Sequence, residues 1–107
     1  MKILLDERVD VCFRDRLAGH QAFSVACMGW KGTKNGALIA RAAADGFDAL
    51  VTTDRNLPFE QNLKSLPLII PILFPDNNSI DDLQPLAPKL LSALITAKPG
   101  SLIEIRG

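Results

Sequence analysis

Apolar residues recur along the chain in short blocks, and five blocks have the length and the β-branched or aliphatic content of strands. We expect strands at residues 2–5, 22–27, 48–53, 68–74 and 102–105. The third block is apolar and β-branched after Asp48, as is typical of a strand covered on both faces. Pro71 has no N–H to donate to a strand ladder, so we expect the fourth strand to lie at an edge or to carry a bulge.

Helical spacing of apolar residues separates most of these blocks. After the first strand the spaced apolar positions are Val9, Cys12, Phe13 and Leu17. A second helix is expected from Gly36 to Ala44, with Asn35 as its N-cap and Gly46 closing it. Alternating strands and helices favour an α/β fold with a largely parallel sheet between two helical layers.

The last helical segment begins near Pro85 or Pro88 and ends at Pro99-Gly100, before the closing strand. Ser79-x-x-Asp82 has the form of a weak capping box ahead of it. Residues 55–63 suit a loop with a short helix. No repeat or linker divides the sequence, so residues 1–107 read as a single domain.

Composition narrows the class of protein. Of the 107 residues 48% are hydrophobic, which is enough for one core, and the 12 basic residues balance the 12 acidic ones. A neutral chain lacks the global positive charge of a stand-alone nucleic-acid binder, but a local basic patch is compatible with it. We expect Cys12 and Cys27 to be buried, reduced thiols. No apolar run approaches the roughly 20 residues that span a bilayer, so we expect a soluble, cytoplasmic protein.

Two expected strands each run into an aspartate, which is the main chemical feature of the sequence. Asp6 follows the first strand, and Asp54 follows the third. In an open α/β sheet, ligands bind outside the carboxyl ends of the strands. Each aspartate alone is more often a turn or helix cap, but together they predict a shared site for a hard divalent cation.

Basic and polar residues near these strand ends are candidates for holding a phosphate. These are Lys31, Lys34, Arg41 and Arg55, with Asn56 placed to orient a water or ligand. Thr52 and Thr53 are β-branched strand residues, with one hydroxyl expected near the cation. Trp30 either closes the end of the core or stacks on a base, and we favour the core.

Four stretches together resemble a short, single-domain bacterial PIN-like family, found as the toxin half of toxin–antitoxin pairs. The stretches are Met1–Glu7, Gly29–Gly36, Val51–Pro58 and Gln61–Leu63. The resemblance implies a three-layer PIN-like (Rossmann-like) domain with a metal-dependent endoribonuclease activity. It also implies that Asp6 and Asp54 bind Mg²⁺ or Mn²⁺ and are catalytic, and that the partner is an antitoxin protein with a DNA-binding module.

One position departs from that family's pattern. Where the family has a glutamate that completes the acidic cluster, this chain has Ala37. Fewer carboxylate ligands predict weaker cation binding. Glu7 is a partial substitute by position, but its side chain is expected to point in a different direction from that of Asp6. One alternative is therefore an inactive PIN-like module that binds a partner through the last helix. Whether the chain forms a homodimer is left open.

A phospho-acceptor receiver domain is the second alternative. Asp6-Glu7 and Asp54 resemble its acidic residues and its acceptor aspartate. Lys98-Pro99 resembles the receiver's lysine and proline, but it precedes the last strand, whereas the receiver's lysine follows that strand. We therefore rank this alternative well below the nuclease.

Overall fold

The protein has an α/β fold with parallel strands. The computed structural model describes residues 1–17, 19–33, 35–54, 68–74 and 83–106. The strands in these ranges are β1 (Lys2–Leu5), β2 (Gln21–Ser24), β3 (Ala49–Val51), β4 (Ile70–Phe74) and β5 (Leu102–Arg106). The helices are α1 (Asn35–Ala44) and α2 (Ala87–Thr96), with 3₁₀ segments at Val11–Arg16 and Gln84–Leu86. The short helix expected within 55–63 and the capping box at 79–82 lie outside the described residues.

The strands pair in two parallel groups that are joined by single bridges. β1 lies between β2 and β3, with Leu5 in register with Ser24 on one side and with Val51 on the other. β4 pairs with β5 over their full length. Bridges Ala49↔Ile69 and Thr52↔Ile72 connect β3 to β4. The spatial order is therefore β2-β1-β3-β4-β5, one of the common doubly wound orders.

Pro71 explains why the contact between β3 and β4 is reduced to bridges. Leu50 N–H donates to Ile69 O at 2.9 Å, and Thr52 N–H donates to Pro71 O at 3.1 Å. The next donor towards Leu50 in a parallel ladder would be the N–H of residue 71, which proline lacks. The expected edge position is wrong, because β4 lies between β3 and β5. Its register with β5 continues through Pro71↔Ile103.

Strand residues alternate between two apolar clusters, so both faces of the sheet are covered. Ile3, Leu5 and Val51 pack with Phe13 of the first 3₁₀ segment and Leu90 of α2. Leu4, Leu50 and Ile70 pack on the other face with α1. The residues of α1 and its C-terminal turn in that cluster are Leu38, Ile39, Ala42 and Phe47. Burial on both faces explains why the strands read as continuous apolar runs.

α1 ends as the sequence predicts. Gly46 adopts a left-handed φ of 82°, and its N–H donates to Ala43 O. Phe47 N–H donates to Ala42 O, which completes a Schellman motif. The predicted start of the last helix, near Pro85 or Pro88, is close as well, since α2 begins at Ala87 with Pro88 in its first turn.

β2 is shorter than expected because the Ser24 hydroxyl accepts a backbone hydrogen bond where the strand ends. Ser24 Oγ accepts a hydrogen bond from Cys27 N–H at 2.9 Å, and Met28 N–H donates to Ser24 O. This local bonding starts a turn in place of residues 25–27 of the expected strand. The turn exposes Cys27, and Cys12 is exposed on the 3₁₀ segment. Both thiols are free, but the prediction that they are buried is wrong.

None of the helices within the described ranges is long and apolar enough to cross a membrane.

Candidate functional site

The two aspartates both lie at the carboxyl edge of the sheet. Asp6 directly follows β1, and Asp54 lies three residues beyond the end of β3, the neighbouring strand. From β1 the chain continues to β2 on one side, whereas β4 lies beyond β3 on the other. Asp6 and Asp54 therefore lie where the strand connections diverge, which is where open α/β sheets bind ligands.

Both carboxylates are almost removed from solvent. Asp6 is 8% exposed and Asp54 is 4% exposed. Acidic side chains are rarely buried to this degree unless they are paired or hydrogen-bonded. The contacts that stabilise them therefore define the site.

Thr52 connects the two aspartates. Its hydroxyl donates a hydrogen bond to Asp6 Oδ2 at 2.7 Å, and its Oγ1 accepts one from Asp54 N–H at 3.0 Å. Thr52 is fully buried, so solvent cannot replace either bond. One hydroxyl therefore fixes the carboxylate after β1 and the backbone after β3 together.

The other Asp6 oxygen is also fixed. Oδ1 accepts a hydrogen bond from Glu7 N–H at 2.7 Å, and Asp6 N–H donates to Val51 O at 2.9 Å. Backbone and carboxylate are thus both held, which restricts the rotamers open to Asp6. A preorganised oxygen pair of this kind is what a ligand site requires.

Arg8 supplies the nearby positive charge. Its Nη1 lies 3.4 Å from Asp54 Oδ1, while its side chain stays 61% exposed. Arg8 belongs to a tight turn after β1 in which Val9 N–H donates to Asp6 O. Arg8 is not among the site residues that the sequence pattern predicts. Its position two residues after Asp6 was the available signal, but the pairing with Asp54 depends on the neighbouring strands.

A cleft of about 360 Å³ opens beside Asp6, between the ends of β1 and β2. The charged residues of its lining are Asp6, Glu7, Asp10 and Lys31. The lining also includes Val9, Val11, Ser24, Val25 and Ala26. Its volume is within the range of small-molecule sites, and Asp6 connects it to the aspartate pair.

Glu7 connects this edge to the loop that precedes α1. Its Oε1 accepts a hydrogen bond from Gly32 N–H. Gly32 has a φ of 85°, a left-handed backbone that favours glycine. The loop is thereby held over the cleft with Lys31 in its lining.

Of the predicted phosphate-binding residues, only some belong to the described part of the chain. Lys34, Arg55 and Asn56 lie outside the described residues. Arg41 is exposed on α1, and its guanidinium carbon lies 5.6 Å from the centre of the Trp30 ring. Trp30 is half-buried and packs edge-on against Phe47, as expected of a residue that closes the core.

The oxygen atoms of the pair fit a small hard cation. Mg²⁺ is commonly bound by one or two carboxylates, with waters and substrate phosphates completing its coordination. Within the described residues, no group of three or more histidine, cysteine or acidic side chains is placed to hold a metal ion. Ala37 is exposed in the first turn of α1 and contributes only a methyl group.

Lys98 lies away from the aspartates. It precedes β5, and Gly100 N–H donates to Leu68 O ahead of β4. These are the amino ends of two parallel strands, at the sheet edge opposite Asp6 and Asp54. This placement counts against the receiver alternative.

The environment of Cys12 does not activate its thiol as a nucleophile. A hydrogen bond with Asp10 and the negative charge of that carboxylate raise the pKa of Cys12. A raised pKa lowers the thiolate fraction at neutral pH and therefore the reactivity of the thiol.

Comparisons with protein-family models, curated proteins and solved structures found no match to this chain.

Proposed function

We propose that this protein is a three-layer PIN-like domain that hydrolyses RNA phosphodiesters with the help of Mg²⁺ or Mn²⁺. One observation carries the proposal: two nearly buried carboxylates, Asp6 and Asp54, joined through the Thr52 hydroxyl at adjacent strand ends. Carboxylates gathered in this way favour a bound cation. In the metal-free state, Arg8 provides part of that charge from a mostly exposed position.

Each residue of the site has a distinct part in this proposal. Asp6 and Asp54 hold the cation through oxygen atoms, and Thr52 keeps them in register. A bound Mg²⁺ or Mn²⁺ supplies an activated water and stabilises negative charge on the phosphate. The two-carboxylate set predicts weak cation binding, which substrate phosphates strengthen by completing the coordination.

RNA is proposed as the substrate because basic groups surround an otherwise acidic edge. Lys31 lines the cleft beside Asp6, and Arg8 contacts Asp54. From the sequence, Lys34, Arg41, Arg55 and Asn56 remain predicted contacts to the RNA backbone. Balanced overall charge agrees with a local rather than a global phosphate contact.

The resemblance extends the proposal to partners. An antitoxin protein with a DNA-binding module would hold the activity in check in the cytoplasm, and a homodimer is compatible with this role. Co-expression with the protein encoded by the adjacent gene, followed by size-exclusion chromatography, tests the antitoxin proposal. A stable complex supports it, whereas separate elution contradicts it.

The nuclease proposal is tested by incubating a labelled single-stranded RNA with the protein in Mn²⁺, in Mg²⁺ and in EDTA. Cleavage that requires the metal and is lost in Asp6→Asn and Asp54→Asn is the expected result. Asp45→Asn is the matched control, because Asp45 is exposed and pairs with Lys2 away from the site. Cleavage that survives both site variants contradicts the assignment.

A partner-binding module without catalysis is the second candidate, and Ala37 favours it. Alanine at this position adds no carboxylate to Asp6 and Asp54. In that case the domain binds its partner but leaves RNA intact under all metal conditions.

A further inference from the structure

Arg8 reaches across the candidate site from one strand end to the other. It lies in the turn that follows β1, yet its guanidinium contacts the carboxylate that follows β3, with Nη1 3.4 Å from Asp54 Oδ1. Asp54 is buried and fixed through its N–H, whereas the Arg8 side chain is 61% exposed. Asp54 is therefore the buried member of the pair and Arg8 the solvent-exposed one.

Separating this pair costs little as long as another cation replaces the arginine. Ion pairs with an exposed partner contribute little net stability, because the charged side chain is well solvated when released. Moving Arg8 away with no replacement would cost more, since a buried carboxylate is stabilised by nearby positive charge. A divalent cation supplies that charge, and it repels a guanidinium at the same position.

We infer that Arg8 is a substrate-binding residue whose guanidinium occupies the cation's place on Asp54 until the metal binds, and then contacts an RNA phosphate. The inference rests on the proposed function, because it takes Asp54 as a metal ligand. A guanidinium presents two parallel N–H groups that match phosphate oxygens, so the released arginine is suited to that contact. One side chain thus serves both the metal-free and the substrate-bound states.

Calorimetry with Mn²⁺ tests the first half of this inference. Arg8→Ala removes the competing charge, so we expect it to bind Mn²⁺ about two- to tenfold more tightly than the native chain. Arg8→Lys keeps the charge and is expected to remain close to native affinity. Arg16→Ala is the matched control, since Arg16 is an exposed arginine at the end of the 3₁₀ segment.

RNA binding tests the second half. The probe is a fluorescent single-stranded RNA with phosphorothioate linkages to slow cleavage, and its anisotropy is followed with and without Mn²⁺. With Mn²⁺ present, Arg8→Ala is expected to weaken RNA binding several-fold, because a phosphate contact is lost. Without the metal the same substitution is expected to have a smaller effect, since Asp54 then holds the arginine.

The outcomes separate this inference from the proposed function. Mn²⁺ affinity that is unchanged in Arg8→Ala, or RNA affinity in Mn²⁺ that is unchanged, overturns the role of Arg8 while leaving the metal site intact. Absence of Mn²⁺ binding in both the native chain and Arg8→Ala overturns the metal site, and the inference with it. Binding that appears only in Arg8→Ala supports the competition in its strongest form.

Discussion

The Thr52 hydroxyl donates to Asp6 Oδ2 at 2.7 Å and thereby ties the end of β3 to the carboxylate that follows β1. The same oxygen accepts the N–H of Asp54 at 3.0 Å. Because Thr52 is fully buried, these two bonds are shielded from solvent. One side chain therefore contacts both residues of the aspartate pair.

Thr52→Val is therefore expected to destabilise the fold and loosen the site. Valine keeps the β-branched shape of the strand residue but leaves a buried acceptor and a buried donor without their partner. We expect a loss of about 1–3 kcal/mol in the free energy of unfolding, measured by urea denaturation. Thr52→Ser keeps the hydroxyl and should stay closer to the native value. Equal stability of the valine and native chains would show that the hydroxyl is not needed.

Ala37→Glu is expected to strengthen cation binding. Ala37 is exposed in the first turn of α1, where an acidic side chain also interacts favourably with the helix dipole. We expect tighter Mn²⁺ binding and faster metal-dependent RNA cleavage than in the native chain. Ala40→Glu, one turn further along the same helix, is the control and should change neither quantity.

The two alternatives give different results in the Ala37→Glu variant. Gain of cleavage indicates a nuclease site weakened at this position. If cation affinity rises but no cleavage appears, the partner-binding module becomes the better account of the protein.

Lys31 and Arg41 are expected to differ in their effect on RNA. Lys31 lines the cleft that contains Asp6, whereas the Arg41 guanidinium stacks on Trp30. We therefore expect Lys31→Ala to raise the KM for RNA cleavage more than Arg41→Ala does. Arg41→Ala should instead alter the fluorescence of Trp30, the single tryptophan of the chain. A larger KM effect at Arg41 would place the RNA path along α1 rather than over the cleft.

Cys12 gives a pH-dependent prediction. Asp10 raises the pKa of this exposed thiol through a hydrogen bond and its negative charge, so less thiolate is present at a given pH. Asp10→Asn should lower the pKa and speed iodoacetamide alkylation at pH 8, in a Cys27→Ser background. The asparagine oxygen can still accept the Cys12 N–H bond that now goes to Asp10 Oδ1, so the turn is preserved. An unchanged alkylation rate would contradict the influence of Asp10.

The sequence predicted the elements that have a strong local signal, such as the continuous apolar run of β1 and the glycine that ends α1. β1, α1 and β5 agree with their expected bounds within about a residue. The predicted β2 is too long, because Cys27 N–H donates to the Ser24 hydroxyl and starts a turn. A run of apolar residues does not reveal such a turn. The sequence also predicted an edge position or a bulge at Pro71, whereas the missing donor is tolerated by reducing the contact between β4 and β3 to bridges.

For the site, the sequence predicted which aspartates lie at strand ends but not what joins them. Asp6 and Asp54 follow strands that pair directly, so strand order alone brings them to one edge. The sequence pattern indicates mainly a strand role for Thr52 and gives no sign that Arg8 pairs with Asp54. The Thr52–Asp6 and Arg8–Asp54 contacts each join residues that are distant in sequence. They therefore depend on the register of β1 and β3.

The most direct test of the central claim is calorimetric titration of Mn²⁺ into the native chain, Asp6→Asn and Asp54→Asn. Each substitution removes a carboxylate charge while keeping the size of the side chain, and circular dichroism verifies that the variants fold. The account predicts binding by the native chain that is lost or strongly weakened in both variants. Native-like Mn²⁺ affinity in either variant, or none in the folded native chain, would contradict a cation site shared by Asp6 and Asp54.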